Sequence, residues 1–172
     1  MDSWTTVGTD TGLLLLRIVI GGLMFGHGLQ KAFGSFGGLG MEGTAPLFDQ
    51  WGFRPARQMV ILAASAELIA APLIIVGFMT PLACAMIFGV LIVAASVVVR
   101  NGLWATKGGC ELPLIYSVAT AALLLTGPGR LSLDWVVGLS SYYGLALSLA
   151  TIVAASLAAY LVIAAARRAR AG

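Results

Sequence analysis

The feature that most constrains this chain is a succession of apolar runs, each about long enough to cross 30 Å of hydrocarbon as a helix. They fall at about Thr11–Phe33, Ala56–Phe78, Pro81–Val99, Glu111–Thr126 and Tyr142–Ala166, the fourth being the shortest. Lipid offers no hydrogen bonds to a backbone, so such runs must satisfy their own peptide groups as helices. Of 172 residues, 59% are hydrophobic and 10% charged, with a mean hydropathy of +0.98. A soluble domain is normally about a quarter charged. The expected fold is an all-α integral membrane protein: a four-helix transmembrane bundle within residues 1–138, plus a fifth transmembrane helix and a basic tail within 139–172.

Local signals set the ends of the runs. Asp10 or Thr11 suits an N-cap for the first. Pro81 and Pro113 sit in first turns, where a missing N–H costs nothing. Gly127-Pro128-Gly129 stops the fourth run. The first ten residues carry two aspartates and no Lys or Arg, the wrong charge for a secretory leader. The fifth run has no interior charge and suits a peripheral packing or anchoring role.

Basic residues indicate orientation. With Arg17 set aside as intramembrane, an outside N-terminus places Lys31, Arg54, Arg57, Arg100, Lys107, Arg167, Arg168 and Arg170 on the cytoplasmic side, and only Arg130 outside. The expected topology is N-out, C-in, multi-pass, in a bacterial plasma (inner) membrane. Because the basic residues are dispersed, the net charge of +3 marks topology rather than a nucleic-acid partner. Between the first two runs, Gly34–Pro55 is too short and mixed to span. It reads either as a plain loop or as an interfacial helix at about Thr44–Trp51. Cys84 reads as a small apolar helix residue and Cys110 as a more accessible thiol; with one histidine they make no metal site.

Against this background Glu67 stands out. A carboxylate at bilayer depth costs about 2.5–3.5 kcal/mol on insertion scales and normally faces a partner or a cavity. The first run adds Arg17, His27 and Lys31. At 100° per residue from Arg17, Gly21 falls at about +40°, Met24 −20°, His27 −80°, Gly28 +20° and Lys31 −40°. The three basic groups therefore share an inward arc with two glycines that admit a neighbouring helix. Leu15, Ile18, Ile20 and Phe25 are expected toward lipid. Glu67 lies within reach of Arg17 or His27, Arg17–Glu67 can be a register-fixing pair, and Lys31 can snorkel to the headgroups. Taken together, the four groups suggest a polar cavity or a proton-handling site.

A second constellation joins Arg100-Asn101-Gly102 to Lys107-Gly108-Gly109-Cys110-Glu111. Asn101 can cap the third helix while Gly102 takes positive φ. Glu111 either favours the dipole of the fourth helix or points across the bundle toward Lys31 or His27. At the other end, Asp134 is expected to pair with Arg130 or to cap locally.

These residues carry a resemblance. Arg17 followed by Gly26-His27-Gly28 and Lys31, the loop Gly37 to Thr44, Ala66-Glu67-Leu68, Gly77 with Thr80, Asn101-Gly102, Gly108-Gly109 with Glu111, and Gly127-Pro128-Gly129 through Ser132-Leu133-Asp134 resemble the DoxX family over about residues 12 to 138. The resemblance implies a four-helix membrane core. It also implies links to redox physiology, since relatives include quinone-reducing thiosulfate oxidoreductase subunits and members of membrane oxidoreductase complexes. Two departures are Cys110, where relatives commonly carry an aromatic residue, and the fifth helix, which lies beyond the resemblance.

No haem-ligand pair, flavin fingerprint or iron–sulfur spacing is present. A redox role therefore needs a diffusible quinone or a partner holding the cofactor. The first functional expectation is a quinone-interacting oxidoreductase subunit, with His27 and Glu67 as catalytic proton carriers and Arg17, Lys31, Asn101 and Glu111 binding the ligand. The alternative is a non-enzymatic scaffold that tethers soluble cytoplasmic redox enzymes through Gly34–Pro55 and the Arg-tipped C-terminus. Expected partners are the lipid bilayer, such enzymes and a second copy of the chain. A proton-coupled transporter is disfavoured by the lack of repeats and broken helices.

Overall fold

A computed structural model describes residues 3–171, so Asp2, one of the two N-terminal aspartates, lies outside the described residues. The helices are α1 (Ser3–Phe33), α2 (Gly40–Gln50), α3 (Ala56–Val76), α4 (Thr80–Val98), α5 (Glu111–Thr126), α6 (Leu133–Val136) and α7 (Leu145–Ala171), with no strand among the described residues. α1, α3, α4 and α7 are long and apolar enough to cross a membrane. The fourth expected span, α5, has only 16 residues. That is about 24 Å of helix, short of a full crossing.

α1 packs most extensively on α3, because the two inward glycines bring the backbones together. A β-carbon on Gly21 would stand 2.7 Å from the Ala71 carbonyl oxygen, and one on Gly28 would stand 2.8 Å from Leu68 Cγ. α3 then packs on α4, and α4 meets both α5 and α7. The core is built from Ile20, Met24, Ala71, Ile74, Cys84, Ile87, Leu91 and Leu123. Ile20 was expected toward lipid but is buried, while Leu15, Ile18 and Phe25 are exposed. Its position, about 300° on from Arg17, is in fact −60° and falls within the inward arc.

α7 lies along α4 with Ala155 and Ala159 buried. The Ser148 hydroxyl donates to the Leu124 carbonyl at the end of α5 (2.6 Å). The Gly34–Pro55 segment carries a full helix, α2. Phe48 stacks at 5.6 Å from both Trp51 and Phe53, and Gly52 is packed beneath the Ala166 carbonyl of α7.

One end of the bundle departs from expectation. Asp10 is no N-cap, because α1 already runs through it from Ser3. Its carboxylate instead accepts from the Arg130 backbone N–H (2.9 Å) and from Arg130 Nε (2.6 Å). Asp134, freed from Arg130, is completely buried. Its Oδ1 accepts from Met79 N (2.8 Å), and its Oδ2 from Thr80 N (2.9 Å) and the Thr80 hydroxyl (2.6 Å). Rather than capping locally, Asp134 caps α4, where the orphan first-turn amides and the helix dipole favour an anion.

Candidate functional site

The register of α1 against α3 explains which charges meet. Gly28 is level with Ala64 and Leu68, and Gly21 with Ala71 and Ile75. His27 is therefore level with Glu67, and Lys31 lies four residues, about 6 Å, further along. Side chains lean toward the N-terminus of their own helix. In this antiparallel pair Lys31 leans toward Glu67 and Glu67 leans toward Lys31, so the two close the gap. Lys31 Nζ donates to Glu67 Oε1 and Oε2, both at 2.7 Å. The side chains are 24% and 3% exposed, respectively. Lys31 does not simply snorkel away from the bundle. An ammonium has three N–H donors, and Glu67 takes two of them.

Lys31 is also the one charged residue lining a cavity of about 380 Å³. Its other walls are α3 (Leu62, Ala63, Ala66), one face of α4, one face of α7, and Phe48, Trp51 and Phe53 at the α2 end. Sequence reasoning did not find this cavity. The visible signal was the run of small residues on α4 and α7, which read equally well as close packing.

The remaining expected site residues lie elsewhere. Arg17 is level with the far end of α3 and about 15 Å along the axis from Glu67, so the two do not pair. Its guanidinium donates from Nη1 to the Ile75 carbonyl (3.1 Å) and from Nη2 to the Leu131 carbonyl. His27 Nδ1 is 3.0 Å from the Gln30 amide oxygen, and the ring sits edge-on to Tyr116 of α5 at 6.3 Å. It turns away from Glu67 toward the α1–α5 seam.

Glu111 does not cross the bundle. Its Oε2 accepts from Ala105 N at 2.8 Å. Asn101 Nδ2 donates to the Gly108 carbonyl at 3.0 Å, and Gly102 takes φ 88°. Both side chains brace the α4–α5 loop. Near α6, burial and a hydrogen bond to Asp134 push the Tyr143 hydroxyl above the ordinary tyrosine range. Cys84 is buried and Cys110 partly exposed, neither in a disulfide. Among the described residues no cluster of His, Cys, Asp or Glu could hold a metal.

Comparison with known proteins places the sequence. The DoxX family model matches residues 12–100, which contain Arg17, His27, Lys31 and Glu67. The chain belongs to the DoxX family. It is 32% identical over 125 residues to CatD of Bacillus subtilis (strain 168), provisionally named an oxidoreductase, covering 73% of this chain and 86% of CatD. An uncharacterized protein of Haemophilus influenzae (strain ATCC 51907 / DSM 11121 / KW20 / Rd) is 31% identical over 137 residues, covering 76% and 86%. No solved structure gives a significant match. This DoxX chain is thus a multi-pass membrane protein of helical architecture, and its family-matched part ends just after α4.

Proposed function

We propose that this DoxX protein is a membrane component of a redox system that takes a quinone headgroup beside Lys31. The chain crosses a bacterial plasma membrane five times, α5 included, with the N-terminus outside and the Lys31 end on the cytoplasmic side. The eight-to-one distribution of basic residues supports that orientation. One observation carries the functional reading: Glu67 takes two of the three Lys31 N–H donors, and Lys31 is the one charged residue lining an otherwise apolar cavity. A cavity of this size falls within the range that small ligands occupy, and a few placed polar groups normally orient such ligands.

The residues present suit a quinone. Reduction to the quinol takes up two electrons and two protons, the electrons coming from a soluble redox enzyme docked on the cytoplasmic side. Lys31 donates its free N–H to a carbonyl oxygen and offsets charge that develops there. Glu67 holds Lys31 in place and gives the pair a second site for a proton. The apolar walls exclude water and accept the ring. The oxidoreductase name given to CatD points the same way. His27, Arg17, Asn101 and Glu111 take no direct part, because each is engaged elsewhere.

Titration of the purified protein in nanodiscs with a ubiquinone or menaquinone analogue tests this. Saturable binding is expected, weakened tenfold or more in Lys31→Met. Binding that never saturates, or that is unchanged in Lys31→Met, would remove the reading.

A second reading, a scaffold that recruits soluble oxidoreductases, is favoured by one feature. Phe36 is 78% exposed and held at a strained φ of 52°, with Phe33 and Leu39 also exposed beside it. A Phe36→Ser variant that keeps quinone binding but loses co-purifying enzymes would favour the scaffold.

A further inference from the structure

The cavity beside Lys31 is long and one-sided. On α4 its lining runs from Ala85 to Val98, about 20 Å along the helix. Lys31, Phe48, Trp51 and Phe53 gather at one end. Every other wall residue on α3, α4 and α7 is apolar. A ligand matching this shape has a hydrogen-bond-accepting head and a single extended apolar chain.

One side of the wall comes from outside the family-matched region. Ala155, Ala158, Ala159 and Val162 of α7 line the cavity, whereas the DoxX match ends at residue 100. Ala155 and Ala159 are buried against α4, while Ala158 is exposed and faces the open side. Small side chains at these positions leave the space between α4 and α7 unfilled. Larger apolar residues would be the cheaper choice if packing alone were at stake, since unfilled volume forfeits dispersion contacts.

We infer that α7 is the chain-selecting wall of the site: Ala158 and Val162 leave a slot between α4 and α7 that seats the apolar tail of a quinone whose headgroup meets Lys31. The inference rests on the headgroup reading above. It adds that tail recognition is supplied by a helix beyond the family-matched part. Ala158→Phe fills the slot from an exposed position and so spares the helix packing. Leu157→Phe, at an exposed neighbouring position that does not line the cavity, is the control.

The experiment compares two probes in nanodiscs: a substituted benzoquinone bearing a decyl chain and the same headgroup with no chain. The wild-type protein is expected to bind the decyl compound at least tenfold more tightly. Ala158→Phe should bring the decyl affinity down to that of the chainless probe, whose own affinity is unchanged, and Leu157→Phe should alter neither. Thermal unfolding shows whether each variant is folded, and Ala158→Leu gives the same comparison with a smaller side chain. Equal wild-type affinities for the two probes, or an Ala158→Phe effect that is absent or equal on both, would overturn the tail assignment while leaving the Lys31 reading standing. If the wild-type protein binds neither probe, the Lys31 reading falls and this one with it.

Discussion

At one end of the bundle Arg17 and Asp134 are fully buried, and both Asp134 carboxylate oxygens and both Arg17 Nη groups are held by protein. At the other end Glu67 is nearly as deep but Lys31 is 24% exposed; Glu67 takes two of its three ammonium donors, and Lys31 lines a cavity. In hydropathy the two regions look alike, since each sets charge into an apolar run. They differ in what the charge is given to do. The first ties the middle of α1 to the end of α3, and the start of α4 to the α6 segment. Arg17 Nε has no partner, but Arg17 does not line the cavity beside Lys31. The second holds a donor in reserve. Buried charge by itself therefore does not tell the two regions apart, whereas the cavity beside Lys31 does.

The largest expected effect belongs to the Arg17–Asp134 end. Asp134→Ala removes the hydrogen bonds from Met79 N, Thr80 N and the Thr80 hydroxyl as well as that with Tyr143, orphans the first amides of α4 and leaves Arg17 without its neighbouring anion. Breaking a buried ionic arrangement by removing one member costs about 3–5 kcal/mol. Thermal unfolding in detergent should show it, while any folded protein still binds quinone. Arg17→Met should be milder, because Asp134 keeps its capping bonds. A loss below about 1 kcal/mol for Asp134→Ala would mean that this end is no structural lock.

The Lys31 end should respond differently. Glu67→Gln keeps hydrogen-bonding capacity but leaves the ammonium uncompensated, at an expected cost of about 1–3 kcal/mol, together with weaker quinone binding. The informative variant is the double replacement Lys31→Met with Glu67→Leu. Exchanging a buried pair for apolar residues of similar volume is often neutral or stabilising. Stability should therefore return to near the wild-type value while quinone binding stays lost. Recovery of both would reduce the pair to a structural element like the one at the opposite end.

His27 sharpens the boundary of the site. Its ring is hydrogen-bonded to Gln30 and packed on Tyr116, away from Glu67. His27→Phe preserves the ring and loses one hydrogen bond, so a cost of about 1 kcal/mol is expected, with quinone affinity unchanged at every pH between 6 and 8. A pH-dependent loss of affinity would restore His27 to the proton path.

Much of the fold was legible in the residues themselves. Helical phase put Gly21, Gly28 and Arg17 on the α1 face that meets α3, whereas Ile20, expected toward lipid, lies on that same face and is buried. Pro81 marked the first turn of α4. What could not be read was axial register. Single-helix depth placed Glu67 beside Arg17 or His27, and only the packing of Gly28 on Leu68 shows that Lys31 is the residue that reaches it. Long-range capping was equally hidden. Nothing in the stretch around Asp134 indicates that its acceptors serve amides more than fifty residues earlier. The cavity was invisible for a further reason, since small residues on α4 and α7 fit a tight interface as well as a slot.

The smallest effects are expected in the α4–α5 loop, and they test how local the Lys31 site is. Glu111 and Asn101 each hold one side-chain hydrogen bond across the loop, to Ala105 N and the Gly108 carbonyl. Glu111→Gln retains an acceptor and Asn101→Ala loses a partly solvated bond, so each should cost about 0.5–1 kcal/mol. Neither residue lines the cavity. Quinone affinity measured on the folded variants should match that of the wild type, because loop bracing and headgroup binding are separate. A tenfold loss of affinity in Glu111→Gln at unchanged thermal stability would join the loop to the Lys31 site, and the contrast between a structural lock and a site with one donor in reserve would have to be redrawn around three carboxylates.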